Sequence, residues 1–209
     1  MKVFNCVTGA YQTNCYILLD EVSGEAAAID CAVFEGSYEE FFDKLNIKKL
    51  KYIFLTHGHF DHICGVKPLK DKTGAEICIH ENDALCLTDE NISLNAAARY
   101  AVQQSVEPDI IVNEGDIFTL GENKIEVLHT PGHTSGCVCY KTDEYIFSGD
   151  TLFYLSMGRT DLPTGSTRTL FESLERLGKI EGEYAVFPGH GDKTDLTFEK
   201  KNNRYLRAR

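Results

Sequence analysis

Nowhere in the chain do about eighteen apolar residues run together, the length a membrane-spanning helix needs. Met1-Lys2-Val3-Phe4-Asn5-Cys6 likewise opens without a long apolar stretch behind a basic region, so no secretory leader is read there and the cytoplasm is the expected location. Positive charge is scarce: 21 Lys and Arg stand against 32 Asp and Glu, a formal net charge of -11 with no long basic run. That balance disfavours nucleic acid and anionic membranes as partners and leaves a small-molecule substrate as the expected one. Cys-Xaa-Xaa-Cys spacing is missing, although Cys6, Cys15, Cys31, Cys64, Cys78, Cys86, Cys137 and Cys139 make eight cysteines. They read as reduced thiols serving mostly as small buried hydrophobes, and a catalytic thiol is the less favoured reading.

No linker, low-complexity run or charge block divides the 209 residues, and 43% hydrophobic content suffices for a full core. One domain over residues 1–209 is expected. Turn and alternation signals predict strands at 3–9, 15–19 and 26–30, then a helix from Ser37 to about Asn46 that buries Phe41, Phe42 and Leu45. Tyr52 to Leu55 should be a buried strand, Val66-Lys67-Pro68-Leu69 part of a helix made short or kinked by Pro68, and Ile77 to Ile79 another strand. Residues 84–99 read as helical or irregular. From Ile110 onward strands are expected at 110–112, 117–120, 124–129, 137–140, 145–147 and 185–187. A helix from Thr167 to Leu177, capped by Ser166, and a terminal helix from Phe198 to Leu206 complete the chain. Strands followed by helix, occurring twice, predict an α+β protein: two β-rich halves stacked face to face with helices on the outer faces.

The densest chemistry follows the apolar run Tyr52-Ile53-Phe54-Leu55. Thr56-His57-Gly58-His59-Phe60-Asp61-His62 places three of the chain's seven histidines and an aspartate within six residues. In an extended segment His57, His59 and Asp61 share a face, and His62 joins them if the chain turns after Asp61. Imidazole and carboxylate are good donors for Zn²⁺ or Fe²⁺. Two further strand ends repeat the pattern, Thr130-Pro131-Gly132-His133 and Phe187-Pro188-Gly189-His190, where glycine is expected to permit a sharp turn. A fourth, Ser148-Gly149-Asp150, offers a carboxylate. His57, His59, Asp61, His62, His133, Asp150 and His190 are too many for one tetrahedral ion, whereas two metals sharing Asp150 use them all. His80 and His129 read as structural or hydrogen-bonding groups outside that set.

THGHFDH, TPGHTSG, SGDTLF and FPGHG, in this order from Thr56 to Gly191, resemble the metallo-β-lactamase superfamily. The resemblance implies a four-layer αβ/βα sandwich with a dimetal site at one sheet edge. It implies His57, His59 and His133 on one ion, Asp61, His62 and His190 on the other, and Asp150 between them. Zinc is the first expectation for both ions, with iron or manganese as alternatives. Asp150, together with Met157-Gly158-Arg159-Thr160-Asp161, looks like the glyoxalase II-like hydrolases of hydroxyacyl thioesters, such as S-lactoylglutathione. In that pattern Asp61 also orients the attacking hydroxide, and Arg159 contacts substrate; the competing reading of Arg159 is a loop-stiffening pair with Asp161. The chain ends soon after His190, so the helical region of the family's larger members is not expected, and Asp30-Cys31-Ala32 departs from the usual Asp-Pro-Gly. A mononuclear iron persulfide dioxygenase, or a lactone or phosphoester hydrolase, remains the alternative to a thioesterase.

Overall fold

The computed structural model describes residues 1–206. The first half forms β1 (Lys2–Thr8), β2 (Thr13–Leu19), β3 (Glu25–Ile29), α1 (Ser37–Lys44), β4 (Lys49–Phe54), α2 (Phe60–Ile63), α3 (Val66–Thr73), β5 (Glu76–His80), a 3₁₀ helix (Glu81–Leu87), α4 (Asn95–Ala98) and β6 (Ile110–Val112). The second forms β7 (Ile117–Leu120), β8 (Asn123–His129), β9 (Val138–Lys141), β10 (Tyr145–Gly149), β11 (Leu152–Phe153), β12 (Ser156–Met157), α5 (Thr167–Gly178), β13 (Ala185–Pro188), β14 (Thr194–Asp195) and α6 (Leu196–Asn202). Strands β1 to β6 make one sheet in sequence order; the other runs β14-β13-β10-β9-β8-β7. The first sheet is antiparallel from β1 to β3 and parallel from β3 to β6. In the second sheet only β10 and β13 pair in parallel.

Four layers follow from three apolar clusters. Between the sheets, Tyr16, Leu18, Ile29 and Phe54 of the first meet Ile125, Val127, Tyr140 and Phe147 of the second. Outside the first sheet, Tyr38 and Phe42 of α1 and Val66 and Leu69 of α3 pack on Ile17, Ile53 and Ile77. Outside the second, Leu170, Leu174 and Leu177 of α5 cover Cys139, Ile146 and Val186. Each such side chain contributes about 1.5–3 kcal/mol by leaving water. The expected αβ/βα sandwich is therefore the fold observed.

Local sequence explains most boundaries. Ser166 accepts the Thr169 amide at 3.3 Å and so starts α5, as its position predicted. Pro68 is the third residue of α3, where its missing amide N–H loses no intrahelical bond, and the helix is short, at eight residues. The terminal helix differs from the expected 198–206. Asp195 caps it by accepting the Phe198 amide at 2.6 Å, and it stops at Asn202 because Asn203 turns extended. Asn203 instead donates its side-chain amide to the Ser156 carbonyl and to buried Glu199. The two-residue strands β11, β12 and β14 lie below the length at which alternation is visible in sequence. No helix among the described residues is long and apolar enough to cross a membrane.

Candidate metal centre

All seven predicted donors converge where β4, β8, β10 and β13 end. His57, His59 and His133 form one group, Asp61, His62 and His190 a second, and His57, His62 and Asp150 a third, with ligand atoms in each within 4.8 Å of one another. His57, His59, Asp61, His62, His133 and Asp150 are buried, and only His190 is more open. The geometry of the first motif differs from the expectation in one respect. The chain turns at Phe60, so Asp61 already sits in the first turn of α2 and reaches the site from a helix beside His62.

Four histidines are aimed by oxygen acceptors behind them. His62 donates Nδ1–H to Asp30 Oδ2 at 2.8 Å, His133 to the Arg159 carbonyl at 2.8 Å, and His190 to the Tyr11 carbonyl at 3.1 Å. Thr56 Oγ1 donates to Asp30 Oδ2, so it accepts from His57 Nδ1, 3.1 Å away. With these tautomers assigned from their acceptors, the four Nε2 atoms face the site as electron-pair donors, the usual arrangement behind a bound metal. His59 presents Nδ1 instead, 2.9 Å from His133 Nε2. Asp150 lies between the groups: Oδ1 is 3.5 Å from His62 Nε2, while Oδ2 is 3.5 Å from His133 Nε2 and 3.7 Å from His190 Nε2.

The donors fit a divalent cation. Buried His57 Nε2 and Asp150 Oδ1 have no hydrogen-bond partner, a cost a protein carries when another species satisfies those atoms. Burial, then the neighbouring histidines, hold His57 well below the ordinary imidazole range, and burial with His133 lowers His59 to about 3. Burial also opposes charge on His62, yet Asp30, Asp61 and Asp150 outweigh it and raise that imidazole to about 10. The carboxylates thus favour positive charge beside them, while His57 and His59 resist carrying it as protons; a metal ion would supply that charge and leave the imidazoles neutral.

The elbow glycines serve two needs. Of the three Gly-His glycines Gly132 has a positive φ, 143°, as does Gly149 before Asp150, at 48°, and a Cβ on Gly132 would come 2.4 Å from the Leu170 backbone. Gly189 gives room instead: a Cβ would lie 2.4 Å from Asp150 Oδ1 and 2.8 Å from His62 Cε1. Arg159 is exposed, and its guanidinium pairs two-pronged with Asp161 at 2.7 Å on both arms, while its carbonyl orients His133. His80 and His129 stand outside the cluster, stacked on each other at 4.1 Å, with Asn82 N–H and the Ser135 carbonyl as polar partners. Asp30 was not assigned a role from sequence. The signal available was a lone carboxylate ending the apolar strand Ala26–Ile29.

Two packed sheets with histidines and aspartates gathered at the ends of their strands define a metallo-β-lactamase fold. The metallo-beta-lactamase superfamily model matches residues 8–190, and the chain belongs to that superfamily. It is 33% identical over 207 residues to the hydroxyacylglutathione hydrolase GloC of Haemophilus influenzae, covering 96% of this chain and 95% of that protein. Among solved structures, the BLEG-1 B3 metallo-beta-lactamase superposes with a TM-score of 0.88 at 29% identity, over 99% of this chain and 100% of that one. TTHA1623 in a di-iron-bound form superposes with a TM-score of 0.83 at 33% identity, over 97% and 100%.

Proposed function

We propose that the chain is a dinuclear metal-dependent hydrolase of acyl thioesters. His57, His59 and His133 would hold one divalent ion and Asp61, His62 and His190 the other, with Asp150 available to both. The observation that carries this reading is Asp150, whose two oxygens face histidines of both groups. The hydroxyacylglutathione hydrolase relative supports the thioester, and the di-iron neighbour supports a pair of ions. Zinc is the first candidate by donor chemistry, since imidazole and carboxylate suit it, and iron is the alternative.

When bound, the ions would polarise the acyl carbonyl and lower the pKa of a water to about 7. The residues do the positioning. Burial opposes charge on Asp61, but His62 and His190 outweigh it and bring the carboxyl down to about 2, so it is ionised at neutral pH. As a pure acceptor 3.3 Å from His190 Nε2, it can take a hydrogen bond from the attacking water and fix its orientation. The water gives up a proton to solvent, its oxygen adds to the acyl carbon, and the carbon–sulfur bond breaks. Sulfur leaves with the electron pair as thiolate, and the carboxylic acid product then loses its own proton to solvent. A thiol of ordinary pKa, about 8.5, departs as thiolate without a general acid. Arg159 would receive an anionic portion of the substrate by exchanging its exposed pair with Asp161 for a substrate carboxylate, a reading its solvent-exposed guanidinium supports.

Asp150→Ala tests this reading. It should remove most of one metal equivalent and nearly all thioesterase activity while the ion-free fold is retained. Full metal content with full activity would overturn the bridging assignment.

A further inference from the structure

Asp83 lies in the 3₁₀ helix Glu81–Leu87, on no motif, and is 2% exposed. Its carboxylate gathers three donors from two separate segments. Oδ2 accepts the Gly58 amide at 2.9 Å and the Thr134 hydroxyl at 2.7 Å, and Oδ1 accepts the Gly136 amide at 3.0 Å. Gly58 is the residue between His57 and His59, and Thr134 follows His133 directly. The packing is shaped for this contact: a Cβ on Gly136 would lie 2.5 Å from Asp83 Cγ, and one on Gly58 would lie 2.5 Å from Cys86 Cβ and 3.0 Å from the Asp83 carbonyl. Burial pushes the Asp83 carboxyl up, and the three donors pull it back only in part. An apolar side chain in its place would leave the Gly58 and Gly136 amides and the Thr134 hydroxyl without this acceptor, so the carboxylate ties the two segments together at a fixed separation.

We propose that Asp83 is a positioning residue that clasps the His57–His59 elbow to the His133 turn and sets how tightly that donor set holds its cation. The inference rests on the metal-centre reading above. It is specific to one half of the site, since all three donors lie on segments carrying His57, His59 and His133. The other half has its own supports, Asp30 behind His62 and the Tyr11 carbonyl behind His190. Holding two loops at fixed separation removes freedom that the cation would otherwise have to restrict on binding. Substituting groups that orient metal ligands typically weakens binding about 10–100-fold.

The test is Zn²⁺ titration of the ion-free full chain against a chromophoric chelator, with melting temperature and circular dichroism of each ion-free variant as controls. A His190→Ala background isolates the His57, His59 and His133 set, and a His59→Ala background isolates the other. Asp83→Asn should weaken zinc about 10–100-fold in the first background and by less than about threefold in the second, with the ion-free fold retained. Thr134→Val, which removes one donor and keeps the shape, should give a smaller loss in the same background and carries the test if Asp83→Asn does not fold. Equal weakening in both backgrounds, or none in either, would overturn the clasp while leaving the metal centre intact. Failure of the unsubstituted chain to bind zinc would overturn both.

Discussion

His62 Nδ1 and Asp30 Oδ2 lie 2.8 Å apart, with both side chains shut away from solvent. Asp30, at φ 56°, also accepts the Thr56 amide and hydroxyl, each at 2.8 Å. One carboxylate therefore fixes the start of the histidine motif and the far side of His62 together. Asp30→Asn keeps the shape and removes the charge. Metal affinity is expected to fall about 10–100-fold, measured by chelator competition; an unchanged affinity would confine Asp30 to holding Thr56.

Gly189→Ala should empty the site of metal without unfolding the protein. The added methyl would meet Asp150 Oδ1 at 2.4 Å and His62 Cε1 at 2.8 Å, so these side chains must move while the apolar clusters stay untouched. Elemental analysis beside a thermal melt checks this. Normal metal content in the variant would contradict the geometry.

Arg159→Ala separates recognition from loop stiffening. For a thioester bearing a carboxylate, KM should rise roughly ten- to a hundredfold, as for loss of a charged hydrogen bond, with an uncharged thioester nearly unaffected. Equal losses on both substrates with a lowered melting temperature would assign Arg159 to its pair with Asp161 alone.

The cysteines should be quiet in the native protein and matter in alkali. Seven of eight are buried and Cys6 is half-buried. Burial pushes Cys15, Cys64 and Cys86 up to about 12. Unfolded thiols ionise near pH 8.5. A raised folded pKa gives stability that is complete below the unfolded value and lost as pH rises toward the folded one. Denaturation midpoints should hold up to about pH 8.5 and fall between there and about pH 12. Thiol titration at pH 8 should find at most Cys6 reacting quickly before denaturant and all eight cysteines after; several fast native thiols would contradict the burial.

The site's donors were legible because chemistry repeats at strand ends: His57 and His59, His133, Asp150 and His190 each follow an apolar run, and the structure brings them together. The layer order was legible from periodicity, which α5 shows with Leu170, Leu174 and Leu177. What escaped was whatever acts through tertiary contact. Asp30 and Asp83 look like ordinary turn aspartates until chain from elsewhere is folded around them, and the carbonyls of Tyr11 and Arg159 carry no sequence signal at all. The turn into α2 was misplaced by two residues because alternation in His57-Gly58-His59 extends naturally through Asp61, while the chain is extended only to His59 and α2 begins at Phe60. The helix end at Asn202 was missed because the Asn203 contacts to Ser156 and Glu199 are nonlocal in part.

The central claim is hydrolysis by water at a metal centre, and isotope transfer reads it directly. Metal-loaded protein given an acyl thioester in heavy-oxygen water should place one labelled oxygen in the carboxylic acid product, with free thiol released in equal amount and no dioxygen consumed. Unlabelled acid, or dioxygen uptake in step with turnover, would contradict the account and favour an oxygenase.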